Sequence, residues 1–309
     1  MIQVLPLANR IKDLEVFWPS IAAYWESAGG VREIVPLLQE RAIVSTAGIP
    51  TQGFIAYSHF QPVSFGWVER STPHYGNLFV YSLHPEFRTL VPNEIVKAGY
   101  LNQVYVELVQ FEDAPEYREA LLAAGVSEFS RQRMGMELAN FKPTVTKRDD
   151  VSLTFLKRED AESVGPVSAL AHWVGQDYPG YSELEKPDER IMLEKKVFDG
   201  LYGTVIERGS LKASMDGKVV GSCLMVSVEC WGYKEAAWVF DITVHPDYQG
   251  KGLGRYMIET AMMHLKQMGY PVIGLAVTDT NHAAKALYTT LGMVPVETFY
   301  EFTHSPKST

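Results

Sequence analysis

A glycine-rich turn in the second half of the chain has the composition that most directly indicates chemistry. It reads QGKGLG over residues 249–254 and lies between an apolar strand pattern and an amphipathic helix pattern. A strand that enters a helix through glycines leaves the first helical N–H groups open, and the helix dipole adds positive potential there. The turn therefore favours a phosphate ligand, with packing alone as the alternative role of the glycines. Its spacing matches neither a P-loop nor a dinucleotide-binding fingerprint.

Two polar residues further along share one face of a predicted helix. Asn281 and Tyr288 are seven positions apart, which is about two helical turns. Asn281 can cap the helix and also bind a ligand. Tyr288 can supply a hydroxyl as a general acid, or it can pack as an aromatic ring.

The elements that must position these residues follow from the hydrophobic periodicity of residues 151–302. The pattern predicts the order βααβββαβαβ, which is typical of a mixed, mostly antiparallel sheet flanked by helices. It includes a hairpin around Asp216-Gly217, a central strand over 237–244, a helix over 252–268, a strand over 271–277 and a helix over 281–291.

The first half of the chain repeats this pattern. The matches are FVYSLHPEFR (79–88) with FDITVHPDYQ (240–249), REALLAAGV (118–126) with KALYTTLGM (285–293), and STAGIPTQGFIA (45–56) with SMDGKVVGSCLM (214–225). Three matches in one order indicate a duplicated domain. We predict two tandem α/β domains, 1–147 and 148–309, joined through the polar segment 142–150.

The segment VHPDYQGKGLG (244–254) resembles the acetyl-CoA signature of the GNAT superfamily, V-x-P-x-x-[RQ]-x-x-G-x-[GA]. The segment NHAAKALYTTLGM (281–293) is similar to the second signature of that family, with Met293 in place of a phenylalanine. The resemblance covers residues 151–302. It implies a GNAT-like fold, acetyl-CoA as acyl donor, and transfer of an acetyl group to a primary amine.

The resemblance also implies which residues hold the donor. The pantetheine arm would lie on the end of the central strand and on Asn281, and the pyrophosphate on the glycine turn. Tyr288 would stand near the sulfur as general acid. The implied binding residues are Ile242, Thr243, Val244, Gln249, Gly250, Lys251, Gly252, Leu253, Gly254, Arg255, Asn281 and Tyr288, and no metal site is expected.

The sequence offers several proton acceptors for the amine, which is mostly protonated at neutral pH and must lose a proton before it attacks. In many members of the family a glutamate lies on the strand after the long helix, and this chain has Ala276 where some of them carry it. We prefer Asp241: strict alternation puts it on the face opposite Phe240 and Ile242, and burial would raise the pKa of its carboxyl. The alternatives are an Asp241 satisfied by structural hydrogen bonds, a base at Glu229, and proton relay through water.

Four side chains lie where the family builds its acceptor groove: His172, Trp173, Tyr178 and Tyr181. They either shape an acceptor pocket or pack between helices. His245 and its repeat His84 are expected to be structural turn residues.

The first copy has no counterpart of the glycine turn. RTLVPN (88–93) stands at its position, and Leu121 stands at that of Tyr288. We predict a degenerate copy with a structural role, as in other tandem members of the family.

Composition bounds the remaining expectations. The chain has 309 residues and a net charge of −9, and an acidic surface disfavours nucleic acid as a partner. Cys223 and Cys230 lie on one predicted strand and cannot pair, which favours free thiols and a reducing compartment. No segment has the pattern of a signal peptide or the ~18 apolar residues of a membrane span.

We therefore predict a cytoplasmic monomer or homodimer that acetylates the primary amine of a small molecule. The alternatives are an acceptor amine on a protein or peptide, and a non-catalytic acyl-CoA sensor.

Overall fold

The computed structural model describes residues 1–30, 33–43, 51–174 and 186–304. The predicted repeat at 45–50 and the predicted groove residues Tyr178 and Tyr181 lie outside these ranges. The chain forms two compact units: Met1–Ser130 with Phe299–Thr309, and Arg131–Thr298.

The first unit is a mixed sheet with helices on both faces. Its elements are β1 (Ile2–Pro6), α1 (Trp18–Ser27), α2 (Ile34–Arg41), β2 (Gln52–Ser58), β3 (Gln61–Arg70), β4 (Tyr75–Ser82), α3 (Leu90–Lys97), β5 (Tyr105–Gln110), α4 (Pro115–Ala123) and the start of β6 (Ser127–Glu137). The strands follow the order β1-β2-β3-β4-β5, in which only β4 and β5 are parallel. One apolar cluster, with Phe17 and Trp67, packs under α1 and α2, and another, with Val91 and Leu121, packs under α3 and α4.

The second unit repeats this plan. Its elements are β7 (Ser152–Phe155), α5 (Ala161–Val174), α6 (Pro187–Phe198), β8 (Thr204–Val205), β9 (Leu211–Met215), β10 (Lys218–Cys230), β11 (Tyr233–Val244), α7 (Leu253–Gln267), β12 (Val272–Thr278), α8 (His282–Thr290) and the start of β13 (Val294–Thr303). The strands follow the order β6-β12-β11-β10-β9-β7, β8 also pairs with β10, and only β11 and β12 are parallel.

Apolar residues cover both faces of this second sheet. The larger cluster includes Met257, Ala261 and Leu265 of α7, the predicted apolar stripe of that helix, and Tyr288 of α8. The smaller cluster includes Val164 of α5 and Val197 of α6. The sheet therefore separates one layer, made of α7 and α8, from a second layer made of α5 and α6.

The predicted elements of the second copy are present. The hairpin turn at Asp216 and Gly217 has positive φ at both residues, 49° and 75°, as a type I′ turn requires. β8 was missed because two residues carry no periodicity, and β11 begins four residues before the predicted strand. Cys223 and Cys230 both lie on β10 as free thiols. Within the described ranges, no helix is both long and apolar enough to cross a bilayer.

The two units divide the chain differently from the predicted boundary at 147/148. Residues 131–137 of β6 pair with β12 in the second unit, and Glu301 and Phe302 of β13 pair with β5 in the first. Periodicity shows where a strand lies, but it carries no information on which sheet the strand joins. Residue 147 as the point where two duplicated copies meet stays a prediction.

Candidate active site

The parallel strands β11 and β12 separate part-way along their length. They pair only from Ala237↔Ile273 to Val239↔Leu275. Beyond Val239, β11 keeps β10 as its partner as far as Val244, while β12 keeps β6 as far as Thr278. Within the described residues, the facing edges of 240–244 and 276–278 therefore have no strand partner. Backbone groups on such edges are available to a ligand.

A β-bulge marks the point of separation. On β10, Leu224 faces Asp241 and Met225 faces Val239, so Phe240 has no opposite residue. A bulge inserts one residue and redirects the side chains that follow. Phe240 packs with the cluster under α5 and α6, Asp241 bonds to residues of the same helices, and Ile242 packs toward α7. The predicted alternation was wrong, because the bulge puts Phe240 and Asp241 on one face.

The glycine turn follows the end of β11 after a single 3-10 turn, Pro246–Tyr248. Gly250 and Gly252 have φ of 72° and 77°, and a Cβ built on either would meet no atom within 4 Å. Gly252 is the N-cap of α7, a helix of 15 residues, so the first N–H groups of that helix border open space. This backbone favours glycine, and it forms a cradle in which a phosphate fits.

Side chains of the predicted signature brace this turn. The Gln249 side-chain amide donates to the carbonyl of Val244 at 3.0 Å, and Lys251 Nζ donates to the carbonyl of Asp247 at 2.8 Å. Arg255 donates to Glu259 at 3.1 Å and also to Thr290. Leu253 is buried in the core under α7. Gln249 and Leu253 therefore shape the turn, while Lys251 and Arg255 place two cations around it.

Asn281 and Tyr288 are both on α8 as predicted. The Asn281 side chain accepts a hydrogen bond from the backbone N–H of Ala284 at 3.2 Å, which is the predicted helix cap. Tyr288 is 7% exposed and packs in the core that also contains Leu275 and Val277 of β12. The cap and the packing are present, and the ligand roles of both residues stay predictions.

A buried polar cluster lies on the opposite face of β11, under α5 and α6. Arg190 Nη2 donates to Asp241 Oδ2 at 2.7 Å and Ser168 Oγ to the same oxygen at 3.0 Å, while His172 Nε2 lies 3.2 Å from Asp241 Oδ1. Glu194 Oε1 is 3.8 Å from Arg190 Nη2. Within the described residues, neither carboxyl oxygen of Glu194 has a hydrogen-bond partner.

The two buried carboxyl groups of this cluster differ in acidity. Burial on its own would raise the pKa of Asp241, but the Arg190 charge and the hydrogen bonds from His172 and Ser168 outweigh it and lower that pKa to about 2. Burial raises the pKa of Glu194 to about 8, because the more distant Arg190 offsets it only in part and Asp241 adds repulsion. The predicted rise in the pKa of Asp241 was therefore wrong, and this carboxylate is a weak base.

Arg190 and Glu194 were not among the residues predicted from the sequence. A signal was present, because Arg190, Glu194 and Val197 recur at helical spacing and form the buried face of α6. Charged residues in a buried stripe require partners. Asp241, an acid inside an apolar strand, is the partner that the sequence offered.

The other predicted candidates lie elsewhere. Glu229 is level with the start of β11, about 20 Å along the strand from Asp241. Ala276 pairs with Arg133 of β6, so a cation rather than an acid stands beside the position of the missing glutamate. Trp173 is 57% exposed, and His245 accepts a hydrogen bond from Asp247 N–H in the turn after β11, as expected of a structural residue.

Comparison with known proteins gives the family of this arrangement. The Acetyltransferase (GNAT) family model matches residues 167–293. The ribosomal protein bS18-alanine N-acetyltransferase of Salmonella typhimurium is 32% identical over 117 residues, covering 38% of this chain and 74% of that protein. The mycothiol acetyltransferase of Amycolatopsis mediterranei is 30% identical over 199 residues, covering 62% of each chain.

Solved structures show the same fold over the full length. A GCN5-related N-acetyltransferase from Sphaerobacter thermophilus superposes with a TM-score of 0.60 at 15% identity, covering 99% of this chain and 98% of that one. A tandem GNAT protein from the clavulanic acid biosynthesis pathway superposes with a TM-score of 0.55 at 14% identity, covering all of both chains. The predicted fold class is confirmed. The chain belongs to the GNAT family of acetyltransferases, and it is an acyltransferase that uses acetyl-CoA as its acyl donor.

Proposed function

We propose that the chain transfers the acetyl group of acetyl-CoA to the primary amine of a small molecule, by direct attack of the amine on the thioester. One observation carries this proposal: β11 and β12 separate after Val239 and Leu275, and the glycine turn lies at the end of the separated strand. A thioester held between the strands would be reachable from the α5 and α6 side, where the buried polar cluster lies.

The residues that would hold acetyl-CoA fit its chemistry. The free edge of Ile242, Thr243 and Val244 offers backbone donors and acceptors to the amides of a pantetheine arm. The turn from Gly250 to Arg255 offers helix N–H groups and two cations to a pyrophosphate. Asn281, whose Oδ1 already caps α8, would present its amide NH₂ to the same arm.

Tyr288 would supply the proton that the leaving sulfur requires. A thiolate departs more easily when a hydroxyl donates to it, since a thiol has a pKa near 8.5. The buried ring of Tyr288 is fixed by its packing, which would keep the hydroxyl in one place. Acetyl-CoA supplies the activated acyl group, and the protein supplies position and proton transfer.

A second acceptor class has support from one relative. The Salmonella protein acts on an alanine of ribosomal protein bS18, as its name states, so the N-terminal amine of a peptide is the alternative acceptor. The Amycolatopsis relative matches a larger share of this chain and is named for mycothiol, a small molecule, which favours the first class. Its family membership favours an enzyme over a non-catalytic acyl-CoA sensor.

An acceptor screen tests the proposal. The protein is incubated with acetyl-CoA and, separately, with an alkyl monoamine, a polyamine, an amino sugar, an amino acid amide and a peptide that begins with alanine. Thiol release and product mass are followed together. We expect acetylation of at least one small amine. Transfer to the peptide alone would establish the second acceptor class, and thiol release without any acetylated amine would contradict N-acetyl transfer.

A further inference from the structure

His172 is the most exposed member of the polar cluster under α5 and α6. Its side chain is 18% exposed, whereas those of Asp241 and Arg190 are 10% and 2% exposed. Asp241, its partner, lies two residues beyond Val239, where β11 leaves β12. The imidazole therefore lies beside the opening between the strands, and of the charged and titratable groups in this cluster it is the one that a ligand can reach most readily.

The two oxygens of Asp241 have separate partners. Arg190 and Ser168 both donate to Oδ2, which leaves Oδ1 to the His172 ring. An ionised carboxylate only accepts hydrogen bonds, so His172 Nε2 must carry the proton of this contact. In the neutral ring Nδ1 is then left with its lone pair. A carboxylate that fixes the tautomer of a histidine is a common arrangement where the ring takes up protons.

Resting on the function proposed above, we propose that His172 takes the proton from the acceptor amine, and that Asp241 is a positioning residue that orients the His172 ring. Arg190 and Ser168 hold the carboxylate in turn. This assignment replaces Asp241 as the base and explains why Ala276 can stand where many relatives carry a glutamate: the proton acceptor comes from α5 instead of β12.

Polar, charged and titratable groups surround this cluster on α5, α6, β11 and β10, and α5 also packs against the turn Pro246–Tyr248, which carries Asp247 and Tyr248. Ser168 comes from α5, Arg190 and Glu194 from α6, and Asp241 from β11. The thiol of Cys223 on β10 is fully buried. Its burial, and to a smaller extent repulsion from Asp241, raises the pKa of this thiol far above the usual range. Glu194 stays largely protonated at neutral pH, so Arg190 chiefly neutralises Asp241.

The step balances without a further reactant. The ammonium form of the acceptor gives one proton to His172 Nδ1, and the nitrogen lone pair forms the N–C bond to the thioester carbonyl carbon. The C–S bond breaks, its electron pair leaves with sulfur, and the Tyr288 hydroxyl protonates that sulfur. The second amine proton and the imidazolium proton then pass to solvent, from which Tyr288 recovers its own.

Kinetics of His172→Gln test the proposal with the best amine found in the screen. We expect kcat at pH 7 to fall by about 100-fold, with little change in the KM for acetyl-CoA. The loss should shrink toward about pH 9.5, because an amine of pKa near 10 increasingly needs no base. His264→Gln is the matched control: His264 is half-buried on α7, bonds the carbonyl of Arg208, and should keep wild-type rates. An unchanged kcat and pH profile in His172→Gln would overturn the proposal.

Ser168→Ala provides a milder variant if His172→Gln does not fold. It removes one donor to Asp241 and leaves the ion pair with Arg190 in place. We expect a several-fold drop in kcat with unchanged binding of acetyl-CoA. A wild-type rate at every pH would count against Asp241 as a positioning residue.

The ring protonation of His172 supplies a readout that needs no acceptor. Long-range ¹H–¹⁵N spectra of the full-length protein, assigned with a His172 variant, should show the proton of the neutral ring on Nε2 and the lone pair on Nδ1. Asp241→Asn should weaken that preference. A ring protonated at both nitrogens up to pH 9 could take no proton and would overturn the inference. If the wild-type protein acetylates no amine, the proposed function fails, and the spectra still decide the state of His172.

Discussion

Each unit contains one corresponding pair of parallel strands among its described residues, and the two strands separate part-way along their length in the second unit alone. In the first unit, β4 and β5 stay paired over six residues, from Tyr75↔Tyr105 to Val80↔Gln110. In the second, β11 and β12 pair over three, and the pairing stops one residue before Phe240, the repeat counterpart of Phe79. The register of β3 and β4 is continuous through that position, whereas β10 and β11 are shifted there by the bulge.

The units also differ in where they place an arginine and its carboxylate partners; Arg88 of the first unit is half-buried, and Arg190 of the second is buried. In the first, Glu112 accepts from the backbone N–H of Ser82 at 3.3 Å, from Arg88 and from the Tyr117 hydroxyl. Ser82 and Arg88 are the repeat counterparts of Thr243 and Gln249, so an internal carboxylate occupies the region where the second unit has its strand end and glycine turn. In the second, Arg190 and Asp241 lie on the other face of the sheet and leave that region open.

Both units keep the core of the duplicated fold, but the pair of parallel strands is open in the second unit and closed in the first. Two features accompany this difference: the extra residue of β11 at the bulge, and the face of the sheet on which the charged cluster forms. These differences support the prediction that the first unit is degenerate and that only the second unit binds acetyl-CoA. Four experiments test these differences.

The largest effect is expected from Gly252→Val. Calorimetry on the wild-type chain should give one acetyl-CoA site, and the variant should weaken binding by about 100-fold or more, because a β-branched residue disfavours φ near 77° and its side chain enters the cradle. Gly217→Val is the control, since Gly217 also has a positive φ of 75° and open space around its Cα, but belongs to the β9–β10 hairpin and not to the glycine turn. Two sites per wild-type chain would contradict the prediction that only the second unit binds acetyl-CoA.

Tyr288→Phe should lower kcat by roughly 10- to 1000-fold and leave the affinity for acetyl-CoA nearly unchanged. The ring keeps its packing and only the hydroxyl is lost. Tyr270→Phe removes a hydroxyl from another ring packed on the same core and should have no such effect. Steady-state and single-turnover rates decide the matter; a wild-type rate with chemistry limiting would reduce Tyr288 to a packing residue like its counterpart Leu121.

Glu194→Gln should stabilise the protein increasingly as pH rises. The folded pKa of Glu194 is raised to about 8, so folding holds a proton that the unfolded chain has released, and wild-type stability falls between about pH 4.5 and 8. A glutamine at this position has no carboxyl proton to lose, so the free energy of unfolding of the variant should rise relative to that of the wild type by on the order of 2 kcal/mol from pH 6 to 8. Urea unfolding across that range measures it, with the exposed Glu162→Gln as control. An advantage that does not change with pH would mean that Glu194 ionises normally.

Glu112→Gln should have the smallest effect. The free energy of unfolding should fall by about 1 kcal/mol, because Arg88 keeps Glu116 as a partner. Calorimetry should still find a single acetyl-CoA site, since the first unit lacks a glycine turn as well as an open strand pair. Appearance of a second site would show that Glu112 alone closes the first unit.

Much of the second unit could be predicted from local pattern. The strand and helix order, the positive φ of Gly250 and Gly252, and the cap at Asn281 all depend on residues near one another in sequence. The residues proposed to hold acetyl-CoA could be predicted for the same reason, because two short segments, 242–255 and 281–288, contain all of them.

The polar cluster around Asp241 could not be predicted in this way. The bulge at Phe240 depends on how β10 meets β11, which periodicity along β11 does not report. The partners of Asp241 come from positions 51, 69 and 73 residues away, and only the fold brings them together. The effect of burial on Asp241 was anticipated, but the sign of the pKa shift depended on Arg190, a residue with no motif.

The course of β13 has a consequence for synthesis. Glu301 and Phe302 complete the edge of β5 in the first unit, and the Tyr75 hydroxyl donates to Glu301 across 226 positions. Contacts of such long sequence separation form late, because the loop between them must close first. On the ribosome, the first unit therefore cannot finish its sheet until β13 has emerged. Until then β5 stays exposed as an edge strand, while the whole second unit is synthesised.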